Sequence, residues 1–176
     1  VYAGVDYKKI IKEAEKEADV IIWDGGNNDF SFYAPDLDIV VTDPHRAGHE
    51  TLYYPGETNF RSADIIVINK IDSAPPGSIQ KLKESIKKYN PKAKVILADS
   101  KIIMTPNISL KNKKVLIVGD GPTLTHGGMP FGAGTIAAKK HNADIIMPYH
   151  HAVGTLKETF EKYPHLKKST ELPAMG

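Results

Sequence analysis

The chain has 176 residues, 41% hydrophobic and 25% charged, with a net charge of +2 and no cysteine. That composition is the range of a soluble globular protein. It excludes a disulfide framework and a thiolate metal site, and the charge is too small to argue for nucleic acid. No apolar run approaches the roughly 18 residues of a membrane helix, and "VYAGVDYKKI" lacks the apolar core of a signal peptide, so cytoplasmic is the default location. The chain opens on Val1 rather than Met, the pattern of a fragment or a trimmed product. Residues 5–18 predict an amphipathic helix, with Ile10, Ile11, Ala14 and Ala18 on one face. Three apolar runs then read as buried strands: 19–26 (DVIIWDGG), 37–44 (LDIVVTDP) and 63–70 (ADIIVINK). Residues 78–89 carry Ile79, Leu82, Ile86 and Tyr89 at helical spacing, with Gly77 or Ser78 near the N-cap. Residues 93–100 (AKVILADS) give a fourth strand. Unbroken Val/Ile runs point to strands covered on both faces, and their alternation with helices points to a parallel sheet.

Segment 101–113 has weak periodicity and reads as a linker. A smaller α/β unit follows over 114–176. It comprises a strand at 114–121, a long Gly-rich loop, a helix near 132–141, a strand at 143–148 and a helix at 155–163. The tail from Leu172 shows no element of its own.

Ligands bind parallel sheets outside the carboxyl ends of the strands. Four strand ends here carry polar residues: Asp24-Gly25-Gly26, Asp43-Pro44-His45-Arg46, Asn69-Lys70-Ile71-Asp72 and Asp99-Ser100. Asp24, between an apolar run and a Gly pair, has the placement of a carboxylate that holds Mg²⁺ beside phosphates; ordinary turn chemistry is the alternative. In Asn69-Lys70-Ile71-Asp72 the Asp72 carboxylate can accept from two N–H groups of a guanine edge. The Asn69 amide can bond an acceptor, and the Lys70 stem can lie along the base. A Gly-Lys phosphate loop of the form G-x-x-x-x-G-K-[ST] occurs nowhere in the chain.

Arg46 and Arg61 are the only arginines, both between the second and third predicted strands, which favours an anion site there; a structural ion pair with Asp43 or Glu50 is the alternative. His45 can serve as general acid or base or add charge. The loop 119–134 brings Gly119, Gly127, Gly128, Gly132 and Gly134 together with Thr123, Thr125 and His126. Glycines let backbone approach an anion, and the helix beginning near Gly132 offers free N–H groups. Five of the seven histidines lie after residue 120, His150 and His151 at a strand end, without the spacing of a zinc site.

The long segments "VYAGVDYKKIIKEAEKEADVIIWDGGNNDF…DPHRAGHE", "YYPGETNFRSADIIVINKIDSAPP", "DGPTLTHGGMPFGAG" and "VGTLKETFEKYPHL…LPAMG" resemble the archaeal cyclic 2,3-diphosphoglycerate synthetase family, also labelled predicted GTPases, over nearly the whole chain. The resemblance implies a longer protein with a Rossmann-like domain and a P-loop NTPase-like domain whose phosphate loop lies upstream of Val1. Residues 1–100 are then the C-terminal part of that NTPase-like domain. It implies ATP-dependent closure of a small phosphorylated acid into its cyclic phosphoanhydride, with ATP or GTP, Mg²⁺ and K⁺, in a homo-oligomer with neither nucleic acid nor membrane as partner. On that basis Asp24 holds Mg²⁺, and His45 and Arg46 act on the transferred phosphate. Asn69, Lys70, Asp72, Gly127 and Gly128 hold the nucleotide, and Thr123, Thr125 and His126 hold the substrate. The missing N-terminal part is the partner, and the chain alone is expected to be inactive. Asn-Lys-x-Asp suits guanine better than adenine, which keeps a GTP-binding regulator or metallochaperone as the rival reading.

Overall fold

The computed structural model describes residues 1–26, 29–105, 108–120, 124–125 and 131–174, with the side chain of Asp120 left aside. The chain divides into two compact units, Val1–Ser100 and Lys101–Gly176.

The first unit opens with α1 (Tyr7–Ala14), whose N-cap Asp6 accepts a hydrogen bond from the Lys9 amide. The Asp6 carboxylate satisfies one of the orphan N–H groups of the first turn. Three strands follow: β1 (Ile39–Thr42), β2 (Ile65–Ile68) and β3 (Lys94–Leu97). They form one parallel sheet in the order β1-β2-β3, with Ile39 opposite Ile65 and Ile65 opposite Lys94. Two helices cross between them, α2 (Gly56–Ser62) and α3 (Ser78–Tyr89). Successive side chains of a strand point to opposite faces. One face carries Ile66 and Ile68, both fully buried, which pack with Phe60 of α2, Ala63, and Leu82 and Ile86 of α3. Asn90 closes this side: its buried amide donates to the carbonyls of Phe60 and Ala63 at 3.0 and 2.8 Å, satisfying orphan groups at the end of α2.

The predicted helix over 78–89 forms with those bounds, begun by Gly77 in a left-handed conformation (φ 78°). The predicted strands at 37–44, 63–70 and 93–100 form with shorter bounds. The strand expected at 19–26 does not form: these residues carry no ladder, and Val20 and Ile22 are exposed. A strand needs a neighbour for its N–H and C=O groups, and among the described residues none pairs with this run. Helix α2 replaces part of what sequence patterning left as loop.

The second unit contains two short parallel ladders. β4 (Lys114–Val115) pairs with β6 (Asp144–Ile145), and β5 (Ile117–Asp120) pairs with β7 (Glu171–Ala174). Its helices are α4 (Ala133–Lys140) and α5 (Gly154–Lys162). Leu124, Phe160 and Leu166 form its small apolar centre. The tail, expected to lack structure, supplies β7 instead. Pro173 disguised it in the sequence, because proline cannot donate to a ladder and reads as a breaker.

Candidate functional site

Because β1, β2 and β3 run parallel and in register, their carboxyl ends fall at one edge. Asn69 N–H donates to Thr42 O at 3.0 Å, Ala98 N–H to Ile68 O at 2.9 Å, and Ile71 N–H to Ala98 O at 3.2 Å. The polar residues after each strand are therefore neighbours. Lys70, itself in a left-handed conformation (φ 55°), turns its ammonium to Asp43 Oδ2 at 2.6 Å. Asp43 Oδ1 accepts the His45 amide at 2.9 Å, and His45 Nε2 lies 3.1 Å from Ser73 Oγ. Burial alone would raise the Asp43 pKa. The Lys70 hydrogen bond, the His45 amide, and the charges of Lys70 and His45 outweigh it and hold the carboxyl below its usual range.

Asp72 is exposed, and its Oδ1 accepts the Ser100 amide at 3.3 Å. That contact links the end of β2 to the end of β3 and restrains the carboxylate expected to read a base. Asn69 and Arg46 are half-buried and their side chains have no partner among the described residues. Beside this edge lies a cleft of about 450 Å³ lined by His45, Ala47, Ser78 and Lys81 together with Pro44, Pro75, Pro76 and Gly77. His45 reaches the cleft; Asn69, Lys70 and Asp72 do not line it.

The structure thus brings together three of the four polar strand ends. Asp24, the fourth, sits exposed in a coil; two residues on, Asp29 N–H donates to Gly26 O at 3.1 Å and Gly26 N–H to Asp29 Oδ2 at 3.3 Å, bonds that leave the Asp24 carboxylate uninvolved. Arg61 belongs to α2, pairs with Glu57 at 2.6 Å and lies over the Tyr89 ring at 4.6 Å, so it is a structural ion pair and not part of an anion site. Ser73 and Lys81 were missed. Ser73 ends the short turn Ile71–Ser73 and Lys81 lies in the first turn of α3, and neither belongs to a motif.

The Gly-rich loop fares differently. Gly127, Gly128, Thr123 and His126 lie outside the described residues, and Thr125 is buried. The N-terminus of α4, expected to offer free N–H groups to an anion, is already occupied. Glu171, 1% exposed, accepts from Gly132 N–H at 2.7 Å, Thr135 N–H at 2.8 Å and Thr135 Oγ1 at 2.7 Å, all on Oε1. Its Oε2 stands where a Cβ on residue 119 would sit, which explains Gly119. A protein carboxylate satisfies these donors in place of a ligand, because both see the same N–H groups and dipole. Glu171 was not foreseen, since its partners lie 36 and 39 residues away in sequence.

Among the described residues no cluster of three or more His, Cys, Asp or Glu could hold a metal. A Mg²⁺ ion carried on nucleotide phosphates needs only one or two protein carboxylates, and exposed Asp24 fits that demand chemically.

The sequence that builds this strand edge is shared with known proteins. It matches the family described as "CobW/HypB/UreG, nucleotide-binding domain" over residues 10–97, half of the chain. The chain belongs to this family. The match includes β1, β2, β3 and the edge residues Asp43, His45, Lys70 and Asp72. Over its whole length the chain is also 64% identical to the "Arginine synthetase ArcE" of Thermococcus kodakarensis, of which it covers 39%. No solved structure matches. The synthetase resemblance drawn from the motifs is borne out at this level: a curated synthetase is similar across all of the chain, and a nucleotide-binding domain is present. No helix among the described residues is long and apolar enough to cross a membrane.

Proposed function

We propose that this chain works as part of a nucleotide-dependent synthetase that forms arginine, with the strand edge of the first unit as its base-binding side. The observation that carries this reading is the 64% identity to an arginine synthetase along the full chain. The edge supports it chemically. Asp72 is exposed and oriented by the Ser100 amide, as a carboxylate that reads paired N–H donors must be. Lys70 is anchored through Asp43, which leaves its stem fixed at the strand end. His45 and Arg46 stand on the next strand end, where a mobile proton and a bidentate cation are useful to phosphoryl transfer. Asp24 would supply the carboxylate for Mg²⁺, whose chemistry is to neutralise phosphate charge. The location proposed is the cytoplasm, and the assembly a homo-oligomer.

A second reading, closure of 2,3-diphosphoglycerate into its cyclic anhydride, is favoured by the long motifs that run from Val1 to Gly176. One assay separates the two. The full-length protein is run in reverse, supplied with arginine, the lower adenine or guanine nucleotide and phosphate or pyrophosphate, and arginine-dependent formation of ATP or GTP is measured beside ATP- or GTP-driven cyclisation of 2,3-diphosphoglycerate. Arginine-linked turnover is expected. Cyclic product with no arginine-linked turnover would sink the first reading and establish the second. Replacing Asp72 with Ala is expected to raise the KM for the preferred nucleotide at least tenfold with kcat little changed; an unaltered KM would move base reading away from this edge.

A further inference from the structure

The second unit holds a cavity of about 270 Å³ lined by Val118, Gly119, Leu124, Gly132 and Glu171, among others. It opens to solvent beside Val118, which is 60% exposed. Glu171 is the single charge among its described lining residues; the rest are glycine, alanine, valine and leucine. Glu171 is 1% exposed, and one side of it is fully engaged. Oε1 takes the amides of Gly132 and Thr135 and the Thr135 hydroxyl. The Glu171 main chain is bonded to Ser169 Oγ through both its N–H and its C=O, and β7 pairs with β5. Oε2, by contrast, accepts no hydrogen bond among the described residues, and no ion pair there includes Glu171. No fully enclosed side-chain oxygen among the described residues lacks a partner, so Oε2 opens on the cavity. Glycine keeps that opening clear: a Cβ on residue 119 would overlap Oε2, and one on residue 132 would press on it at 3.0 Å.

We propose that this cavity is a subsite for a cationic N–H group, guanidinium or ammonium, of a small amino-acid substrate, received on Glu171 Oε2. An ionised carboxylate has acceptor sites on both oxygens. Leaving one oxygen unused in a nearly enclosed site costs desolvation energy, which a charged donor offsets. The Gly-rich segment thus presents an anion in the place where an anion was expected to bind. A divalent metal is a poorer occupant, because it needs several oxygen ligands and no cluster of three or more His, Cys, Asp or Glu stands among the described residues. The preference for a cation rests on the geometry; the choice of an amino acid rests on the reading of this chain as part of an arginine-forming synthetase.

The full-length protein and its Glu171→Gln variant are titrated by calorimetry, with nucleotide present and absent. The probes are L-arginine, N-acetylarginine (guanidinium without the α-ammonium), norvaline (α-ammonium without the guanidinium) and KCl. In the variant the amide oxygen can keep the Gly132 and Thr135 donors while an NH₂ replaces Oε2, so the cavity's acceptor becomes a donor. The Kd for arginine should rise about 10- to 100-fold, as for loss of a hydrogen bond between charged groups. One analogue should weaken in step: N-acetylarginine if the guanidinium sits on Oε2, norvaline if the ammonium does. Gly132→Ala keeps the carboxylate and places a methyl against Oε2 on extended backbone (φ −123°) that alanine adopts, so it should weaken the same ligand and decides the matter if the Gln variant fails to fold. Arginine affinity unchanged in a folded variant would overturn the subsite and leave the arginine reading intact. If arginine does not bind but norvaline does and needs Glu171, the arginine reading fails and the subsite stands. Binding of K⁺ alone that is lost in the variants, or no binding of any N–H cation, would overturn the subsite as well.

Discussion

Asp43 in the first unit and Glu171 in the second are both carboxylates bonded to main-chain donors near strand ends, but their partners differ. Asp43 is half-buried, shares its charge with Lys70 and stays beside an open cleft. Glu171 is enclosed, and its donors are backbone N–H groups and a threonine hydroxyl. The first arrangement leaves neighbouring groups such as Arg46 and Asn69 available to a ligand. The second consumes the donors that a ligand would have used. A Gly-rich loop before a helix is therefore not evidence of an anion site until the helix end is shown to be vacant, whereas polar residues after adjacent parallel strands converge for topological reasons alone.

The strongest way to break this contrast is at Glu171. Replacing it with Ala orphans the Thr135 and Gly132 N–H groups, while the Thr135 hydroxyl keeps Thr170 Oγ1 at 2.7 Å, a loss of roughly 2–4 kcal/mol at about 1–3 kcal/mol per unsatisfied group, part of it relieved by water. Hydrogen exchange in peptides spanning 132–141 should accelerate, with 63–70 unaffected. Glu171→Gln keeps an acceptor at Oε1 and should lose less. If Ala proves harmless, the carboxylate is not what holds β7 to α4.

The first unit should instead fail through its apolar side. Ile66 is 0% exposed between α2 and α3. Ile66→Ala should cost about 3 kcal/mol, the transfer loss plus the cavity left behind. Exchange should rise over 63–70 and 78–89 and stay constant over 132–141. Coupled acceleration in both units would show that they do not unfold separately.

A smaller effect is expected at Asn90, which contributes polar bonds to an otherwise apolar unit. Asn90→Ala leaves the Phe60 and Ala63 carbonyls without these bonds and should cost about 2 kcal/mol. Exchange should rise first at 60–63. An unchanged rate would mean that water replaces the amide.

The elements that could be read in the sequence were those set by local pattern. The runs before Asp43 and Asn69, and the spacing of Leu82 and Ile86, specify strands and a helix without outside information. The run at 20–22 has the same composition as β2, yet it forms no strand, because pairing is decided by a neighbour and not by propensity. Helix α2 was missed because it is seven residues long and buries only Phe60, too little for a period to show. At the site, His45, Arg46, Lys70 and Asp72 were legible as strand-end residues. What could not be read was how they pair: Lys70 takes Asp43, leaving Arg46 without it, and which cation wins depends on the left-handed turn at residue 70.

That pairing gives the smallest and most specific expectation. The folded-state pKa of Asp43 is depressed, so its contribution to stability is present above the unfolded value, about 3.9, and disappears as pH falls through the lower folded value. The pair is partly exposed, with side chains 25 and 41% accessible for Asp43 and Lys70, so solvent screening limits it to under about 1 kcal/mol. Asp43→Asn should lower stability by that amount at pH 7 and by nearly nothing at pH 2. The His45 amide can still bond to the Asn oxygen, so any larger loss at pH 7 would reveal that Lys70 is held in its left-handed turn by this contact. Unfolding in urea at the two pH values, with raised salt as a control, measures it. Raised salt should shrink the difference at pH 7, since screening weakens a partly exposed ion pair. A penalty of equal size at both pH values would show that Asp43 acts through its shape and amide contacts, and that its charge does not organise this edge.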